Sequence, residues 1–225
     1  MFIGIGTPIP EIANLPGTSR PGSGGGGGGN VLSQIDNDYY MEFDGVDDEV
    51  ALGSTINLAT TNTISMWVKR DDVAEIDDGL LGNSANDDQA AMWISATSRL
   101  YISLSKWVKP FFYVTSLFDT TDWFNLVVVR TGDTANLYVD GVWKDDLTGL
   151  GAGDTLIDTI GYLKEASPPN TFHFQGALDE IAFFDYVLSP SEINDIYNAT
   201  DIAGKKCADL SSMATQPVAW YRMGD

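Results

Sequence analysis

The sequence has one cysteine, Cys207, and one histidine, His173. A single cysteine excludes an intramolecular disulfide, and the two residues together exclude a zinc site of cysteine/histidine type. Chemistry that needs a histidine base has only His173, which sits in the apolar run TFHF and reads as a strand residue. Cys207 reads as an incidental small residue. Basic residues are scarce: 12 Lys and Arg stand against 32 Asp and Glu, a formal net charge of −20. That argues against nucleic acid and against an anionic membrane, since both need basic surface. It suits a protein that binds cations or stays soluble in salty water. No apolar run approaches the ~20 residues of a bilayer span, so no membrane span is expected. The start, MFIGIGTPIPEI, lacks a basic n-region and a cleavable apolar core, so no signal peptide is expected.

What the chain does have is apolar content, 44% of 225 residues, enough for one β-rich domain with a full core and some chain left over. Residues 1–37 stand apart as an extended arm. Pro8, Pro10, Pro16 and Pro21 hold the backbone extended, and the run GSGGGGGGN loosens it, so no packed core forms there. The tip is nevertheless apolar, with Met1, Phe2, Ile3 and Ile5. A disordered terminus and an arm that docks on another subunit both fit this pattern. An apolar tip on a flexible tether is unusual for a mere linker.

From Tyr39 onward, short runs alternate with period two. In TISMWVK, Ile64, Met66 and Val68 share one face, while Ser65, Trp67 and Lys69 share the other. RLYISL repeats the pattern with Leu100, Ile102 and Leu104. NLYVDG supplies Leu137 and Val139, then the hairpin dipeptide Asp140-Gly141. FNLVVVR is apolar enough for a central strand. Many short strands separated by Gly, Asn and Asp predict a sandwich or barrel. One helix is convincing. Ser189-Pro190-Ser191-Glu192 has the spacing of a capping box with proline at the first helical position, and Ile193, Ile196 and Tyr197 follow as an apolar stripe. A short helix is predicted near residues 190–198.

Four segments occur in order: YMEFDGVDDEVAL, NTISMWVKR, DWFNLVVVRTGDTANLYVDGVW and FQGALDEIAFFDYVLSPSEI. Together they resemble the concanavalin A-like lectin/glucanase superfamily, in its laminin-G-like and pentraxin-like branch, from about Tyr39 to Tyr197. The resemblance implies an all-β fold, a two-sheet antiparallel jelly-roll sandwich over residues 38–200. Residues 201–225 end in QPVAWYRMGD, which is similar to the first strand of such domains. This segment either closes the same sandwich or begins a further repeat. The arm and the whole layout also resemble virion proteins of marine tailed phages.

EIDDGLL, residues 75–81, bears on the enzymatic members of the superfamily. Its glucanases use a strand reading Glu-x-Asp-x-x-Glu, with nucleophile and acid/base ~5–5.5 Å apart. Glu75 and Asp77 match the first two positions. The third falls on Leu80, which can neither donate nor accept a proton. No enzymatic activity is therefore expected. Glu75 and Asp77 read more simply as part of an acidic solvated loop with Asp71, Asp72 and Asp78.

Metal and sugar remain. Asp179 in GALDEIAFF has the parity of Ala177, Ile181 and Phe183, so without a bulge it points where apolar residues point. A buried carboxylate without a partner costs several kcal/mol. The resemblance implies a structural calcium held by Asp179, with oxygens from the turn at Asp44-Gly45. An Asp hydrogen-bonded to backbone amides is the alternative. A weaker second calcium site is the loop NSANDD, through Asn86, Asp87 and Asp88. There the pentraxin-like pattern departs, because residues 150–158 offer only Asp154 and Asp158. For sugar, Trp67, Trp93, Tyr101 and Tyr138 all lie opposite the aliphatic set on their strands. They form either an aromatic patch for pyranose rings or a surface covered by an arm, a loop or a subunit. WVKPFFY is another concentrated apolar run, a strand pair or an interface.

The reading that joins these features is a non-enzymatic virion-associated structural or adhesion protein. Its arm would join other virion or assembly subunits, homo-oligomers included, and its lectin-like domain would face surface glycans. The location would be a virion or extracellular assembly. A free calcium-dependent carbohydrate-binding lectin is the alternative, and a polysaccharide-degrading enzyme is disfavoured.

Overall fold

A computed structural model describes Thr7–Pro8 and residues 32–223, apart from 73–76, 85–90, 96, 98, 104–109, 114–116 and 167–168. The first strands are β1 (Thr7–Pro8), β2 (Gln34–Asp36), β3 (Tyr39–Asp44), β4 (Val50–Leu58) and β5 (Thr61–Arg70). Then come β6 (Asp78–Gly82), β7 (Ala91–Ile94), β8 (Arg99–Ser103), β9 (Phe111–Tyr113) and β10 (Phe124–Thr131). β11 (Thr134–Val139), β12 (Val142–Thr148), β13 (Thr155–Ile160), β14 (Tyr162–Ala166) and β15 (Pro169–His173) follow. The last elements are β16 (Gln175–Phe184), helix α1 (Pro190–Ala199), β17 (Lys206–Ala208) and β18 (Ala219–Tyr221).

Two antiparallel sheets hold most of these strands. The eight-stranded sheet runs β1-β3-β16-β5-β10-β11-β12, with β18 also paired to β16. The six-stranded sheet runs β4-β13-β6-β7-β8-β9. β14 and β15 form a separate hairpin, and β2 pairs with β17. The alternation in the sequence sets the faces. Ile64, Met66 and Val68 of β5 and Leu126 and Val128 of β10 point inward, against Leu81, Ile94, Leu100 and Ile102 of the other sheet. Each such burial stabilises by roughly 1.5–3 kcal/mol. FNLVVVR is central, as its apolar character predicts: β10 lies between β5 and β11.

The interior also holds an ion pair that corrects one sequence expectation. Asp78 is not part of a solvated acidic loop. It opens β6 and is buried, where its carboxylate accepts the Arg70 Nε–H at 2.6 Å. Arg70 Nη1 also donates to the Phe118 carbonyl at 2.9 Å. Burial pushes the Asp78 pKa up, and Arg70 opposes that shift. The pair joins β5 of one sheet to β6 of the other. Leu80, two residues on, is fully buried in the core. Glu75 lies outside the described residues.

Both outer faces are partly covered. α1 begins as its sequence predicts. Ser189 Oγ accepts the Glu192 N–H at 3.3 Å, and the Glu192 carboxylate accepts the Ser189 N–H at 2.7 Å. Ile193 and Ile196 pack on Val127, Val129, Ala182 and Phe184, the outer face of the eight-stranded sheet. On the other sheet, the β14–β15 hairpin lies directly over β6. A Cβ at Gly79 would collide with the Phe172 carbonyl, and one at Gly82 with the Tyr162 carbonyl. His173 is a strand residue whose ring rests against Tyr162 at 4.8 Å.

β16 carries a bulge between Asp179 and Ala182, with Glu180 at φ 50°. Before the bulge, Leu178 points inward and Ala177 outward; after it, Ile181 and Phe183 point inward. The parity drawn from GALDEIAFF therefore breaks at Asp179, which pairs opposite Trp67 on the outer face. Its carboxylate accepts Asn37 Nδ2–H at 2.8 Å and the Glu180 N–H at 2.9 Å. The Glu180 carboxylate accepts the Trp220 indole N–H at 2.8 Å and pairs with Arg222 at 3.7 Å. Both terminal segments of the described domain are thus fastened to one bulge. β2 and β17 pair beside it, and Lys206 bridges to Asp36. Cys207 of β17 is buried, and burial pushes its thiol well above the ordinary range.

Candidate functional site

The four aromatics singled out in the sequence do not form one surface. Trp67 is buried against α1, its ring stacked on Tyr197 with centroids 5.8 Å apart. Tyr138 packs against the same helix-covered face. Trp93 and Tyr101 belong to the other sheet, where a register row brings rings from three adjacent strands side by side. Trp93 pairs with Tyr101, and Tyr101 with Phe111. Phe172 of the hairpin stacks on the far side of Trp93, 6.3 Å away. The Trp93–Tyr101 rings are 4.6 Å apart and nearly parallel, and Phe111 follows at 4.9 Å.

Exposure rises along this stack toward the sheet edge. Trp93 is 4% exposed, Phe111 37% and Tyr113 58%. Trp93 is thus the buried support, and Phe111 and Tyr113 are the accessible ledge. Phe112 between them points into the core, so the run FFY is a strand with period two. Arg99 pairs with Tyr113 across β8 and β9. Its guanidinium lies 4.7 Å from the Phe111 ring centre and 5.2 Å from that of Tyr113, within cation–π range. The Tyr101 hydroxyl borders the same spot, 3.4 Å from Arg99 Nη1. Rings with exposed faces beside polar donors are the combination that holds a sugar.

The two parts of the expected calcium site fall apart. Asp44 pairs with Gln175 at one end of β16, and Asp179 lies four residues further along, roughly 13 Å away at strand rise. Asp44 instead gathers with Asp47 and Asp48, whose carboxylate oxygens lie within 4.8 Å of one another. Asp44 Oδ1 accepts the Val46 N–H at 2.8 Å, and Asp48 Oδ2 accepts the Asp44 N–H at 3.1 Å. Gly45 supplies the positive φ, 78°, that the turn needs. The remaining oxygens form an all-oxygen donor set, which fits calcium better than a softer metal. Asn86, Asp87 and Asp88 lie outside the described residues, as do Met1, Phe2, Ile3 and Ile5. Nearby Asn83 is buried and donates to the Leu156 carbonyl at 3.3 Å, and Asp158 accepts from Ser84.

A laminin-G family profile, described as the concanavalin A-like lectin/glucanases superfamily, matches residues 44–194. The chain belongs to this superfamily. Its members share the fold and differ in their sites, so the relatives bear on architecture. A heptameric SAP-like pentraxin from Limulus polyphemus aligns at 12% identity and a TM-score of 0.53, over 78% of this chain and 87% of that one. The IT-sialidase CBM40 of Ruminococcus gnavus, bound to α2,3 sialyllactose, aligns at 14% identity and 0.52, over 75% of this chain and 100% of that one. A Bacteroides ovatus protein, whose carbohydrate binding is itself a proposal, aligns at 11% identity and 0.52, over 85% of this chain and 51% of that one. No curated protein matches the sequence.

Sequence reasoning singled out the buried part of this ring stack and missed its exposed end. Trp93 and Tyr101 were visible by their alternation. Phe111 sat in an apolar run without a register, and Arg99 and Tyr113 carried no motif. The available signal was shared parity: Arg99 and Tyr101 both alternate with inward-facing Leu100 and Ile102.

Proposed function

We propose that this domain binds saccharides on the edge of the six-stranded sheet, through the ledge of Phe111 and Tyr113 with the Tyr101 hydroxyl and Arg99 beside it. The observation that carries the reading is the graded ring stack, buried at Trp93 and open at Phe111, with exposed Tyr113 beside it. The stack fixes Phe111 in place before a ligand arrives, so little ordering cost opposes binding. The binding of α2,3 sialyllactose by the similarly folded Ruminococcus gnavus CBM40 supports the class of ligand.

The domain acts without catalysis. Of the acids in EIDDGLL, Asp78 is enclosed by Arg70, and Leu80 stands where a glucanase needs its second Glu. A cation at Asp44, Asp47 and Asp48 would neutralise three crowded carboxylates and pin the β3–β4 turn. The arm serves attachment to a virion or other extracellular assembly. The reading draws on the pairing of Thr7–Pro8 with Tyr39–Tyr40 within this chain, since a β3 edge that takes up a strand of the arm can also take one from a neighbouring subunit. The neighbour is a second copy or another assembly subunit.

The test is a glycan array followed by titration calorimetry with the strongest oligosaccharide. Binding is expected in the native chain, with no release of reducing ends on prolonged incubation. No binding to any glycan, or sustained hydrolysis, would reject the reading.

A further inference from the structure

Arg99 differs from the other well-placed cations of the domain. Arg70 is bonded to Asp78, Arg222 lies at ion-pair distance from Glu180, and Lys206 bridges to Asp36. Arg130 is buried, and it donates to the carbonyls of Gly132, Gly151 and Gly153. Arg99 has no such engagement. Among the described residues no carboxylate pairs with it. Its Nε is shielded from solvent and bonds no acceptor. Among the described residues its side chain has one polar contact, Nη1 to the Tyr101 hydroxyl at 3.4 Å, longer than an ordinary hydrogen bond. Arg70 Nη2 is likewise without an acceptor, but that side chain is paired through Nε with Asp78; among the described residues Arg99 has no carboxylate beside it. Two aromatic rings hold this guanidinium at the accessible ledge, with its planar fork largely unused. That fork matches a carboxylate or a sulfate by paired, charge-assisted hydrogen bonds.

We propose that the ledge selects oligosaccharides carrying an isolated anionic group, a carboxylate or a sulfate, and that Arg99 reads this group while Phe111 and Tyr113 hold the adjoining sugar. The proposal rests on the saccharide-binding reading of the same ledge and adds the charge of the ligand. Net charge sets the limit to a single anion. At −20 the molecule repels a dense polyanion, whereas one acid group at contact distance feels Arg99 most strongly, since exposed charges beyond about 8–10 Å are screened at physiological salt.

The experiment compares matched pairs that differ only in the anion. 3′-Sulfolactose is titrated against lactose, and α2,3 sialyllactose against its methyl ester. In at least one pair the acidic member should bind about tenfold tighter, and the responding pair tells sulfate from carboxylate. Arg99→Gln should bring the two members of that pair level, chiefly by weakening the acidic one. Arg99→Lys should restore part of the preference, because it keeps the charge and loses the fork. Neutral members binding as well as acidic ones would overturn the charge proposal and leave the sugar ledge standing. A preference that survives in Arg99→Gln would overturn the role of Arg99. Failure of every member to bind would overturn the charge proposal, and the saccharide reading falls with it only if the glycan array is blank as well.

Discussion

Asp140 answers two demands in the β11–β12 hairpin. Its φ is 53° and that of Gly141 is 72°, both positive, as a two-residue type I′ loop requires. Its carboxylate accepts the Asn125 N–H at 2.9 Å, and burial pushes its pKa up. A raised folded-state pKa means that the protonated acid stabilises the fold below the ordinary carboxylate range. That contribution is lost as pH rises through the raised value. Asparagine tolerates the left-handed backbone, keeps the acceptor and has no charge to desolvate. Asp140→Asn should therefore raise the thermal midpoint at pH 7 by a few degrees at most, since the site is partly solvated and 1 kcal/mol corresponds to about 2–4 °C in a domain of this size. The gain should shrink toward about pH 3, where both forms are neutral. An equal gain at both pH values would show that backbone preference, not charge, sets it. Asp140-Gly141 was legible because a hairpin dipeptide acts locally. Asp179 was only half legible. The sequence shows that it needs a partner, but the bulge that parts its face from that of Ile181 and Phe183 rests on Glu180 at positive φ, a conformation that glutamate does not advertise. Its partner Asn37 is 142 positions away.

Elements whose signals are local could be read directly. The helix followed from Ser189 to Glu192, because capping and proline act within one turn. The alternation of β5, β8 and β11 gave the inner faces, because one residue in two must meet the core. Which outer face each sheet presents could not be read, because that depends on where α1 and the β14–β15 hairpin lie. Trp67 and Trp93 look alike in sequence and end under different covers. The Asp44 turn is an element whose role a chelator can decide. If calcium occupies it, EDTA should lower the thermal midpoint and added calcium restore it. A ligand at 100 times its dissociation constant stabilises by about 2.7 kcal/mol, so a shift of roughly 5–10 °C is expected. Asp47→Asn should abolish the response and Asp179→Asn should keep it. The opposite pattern would move the cation to β16, and an unresponsive native chain would remove it from the account.

At the scale of the whole molecule, a strongly acidic sandwich has its covered face under α1 and its open ledge at β9. Residues 1–37 read as an arm in the sequence, because a Gly/Pro-rich segment cannot bury enough apolar surface to fold alone; of residues 1–31 the structure describes only Thr7–Pro8. The pairing of Thr7–Pro8 with β3 could not be read from the sequence, because edge pairing leaves no side-chain pattern. Deleting residues 1–30 removes β1 and the tether. The remaining chain should stay folded with its midpoint almost unchanged, and light scattering should show loss of the full chain's larger assemblies. Assembly that continues after truncation would reduce the arm to a passive tail. Among the described residues no helix is long and apolar enough to cross a membrane. The most direct test of the central claim compares two exposed aromatics. Tyr113 on the ledge is 58% exposed, and Trp143 on β12, opposite Tyr138, is 52% exposed. With the strongest oligosaccharide from the array, Tyr113→Ala should weaken binding by about thirtyfold, the loss expected from removing a ~2 kcal/mol anchor. Trp143→Ala should leave the affinity unchanged, and both variants should melt within a few degrees of the native chain. Undiminished binding by Tyr113→Ala, or a loss confined to Trp143→Ala, would contradict the account.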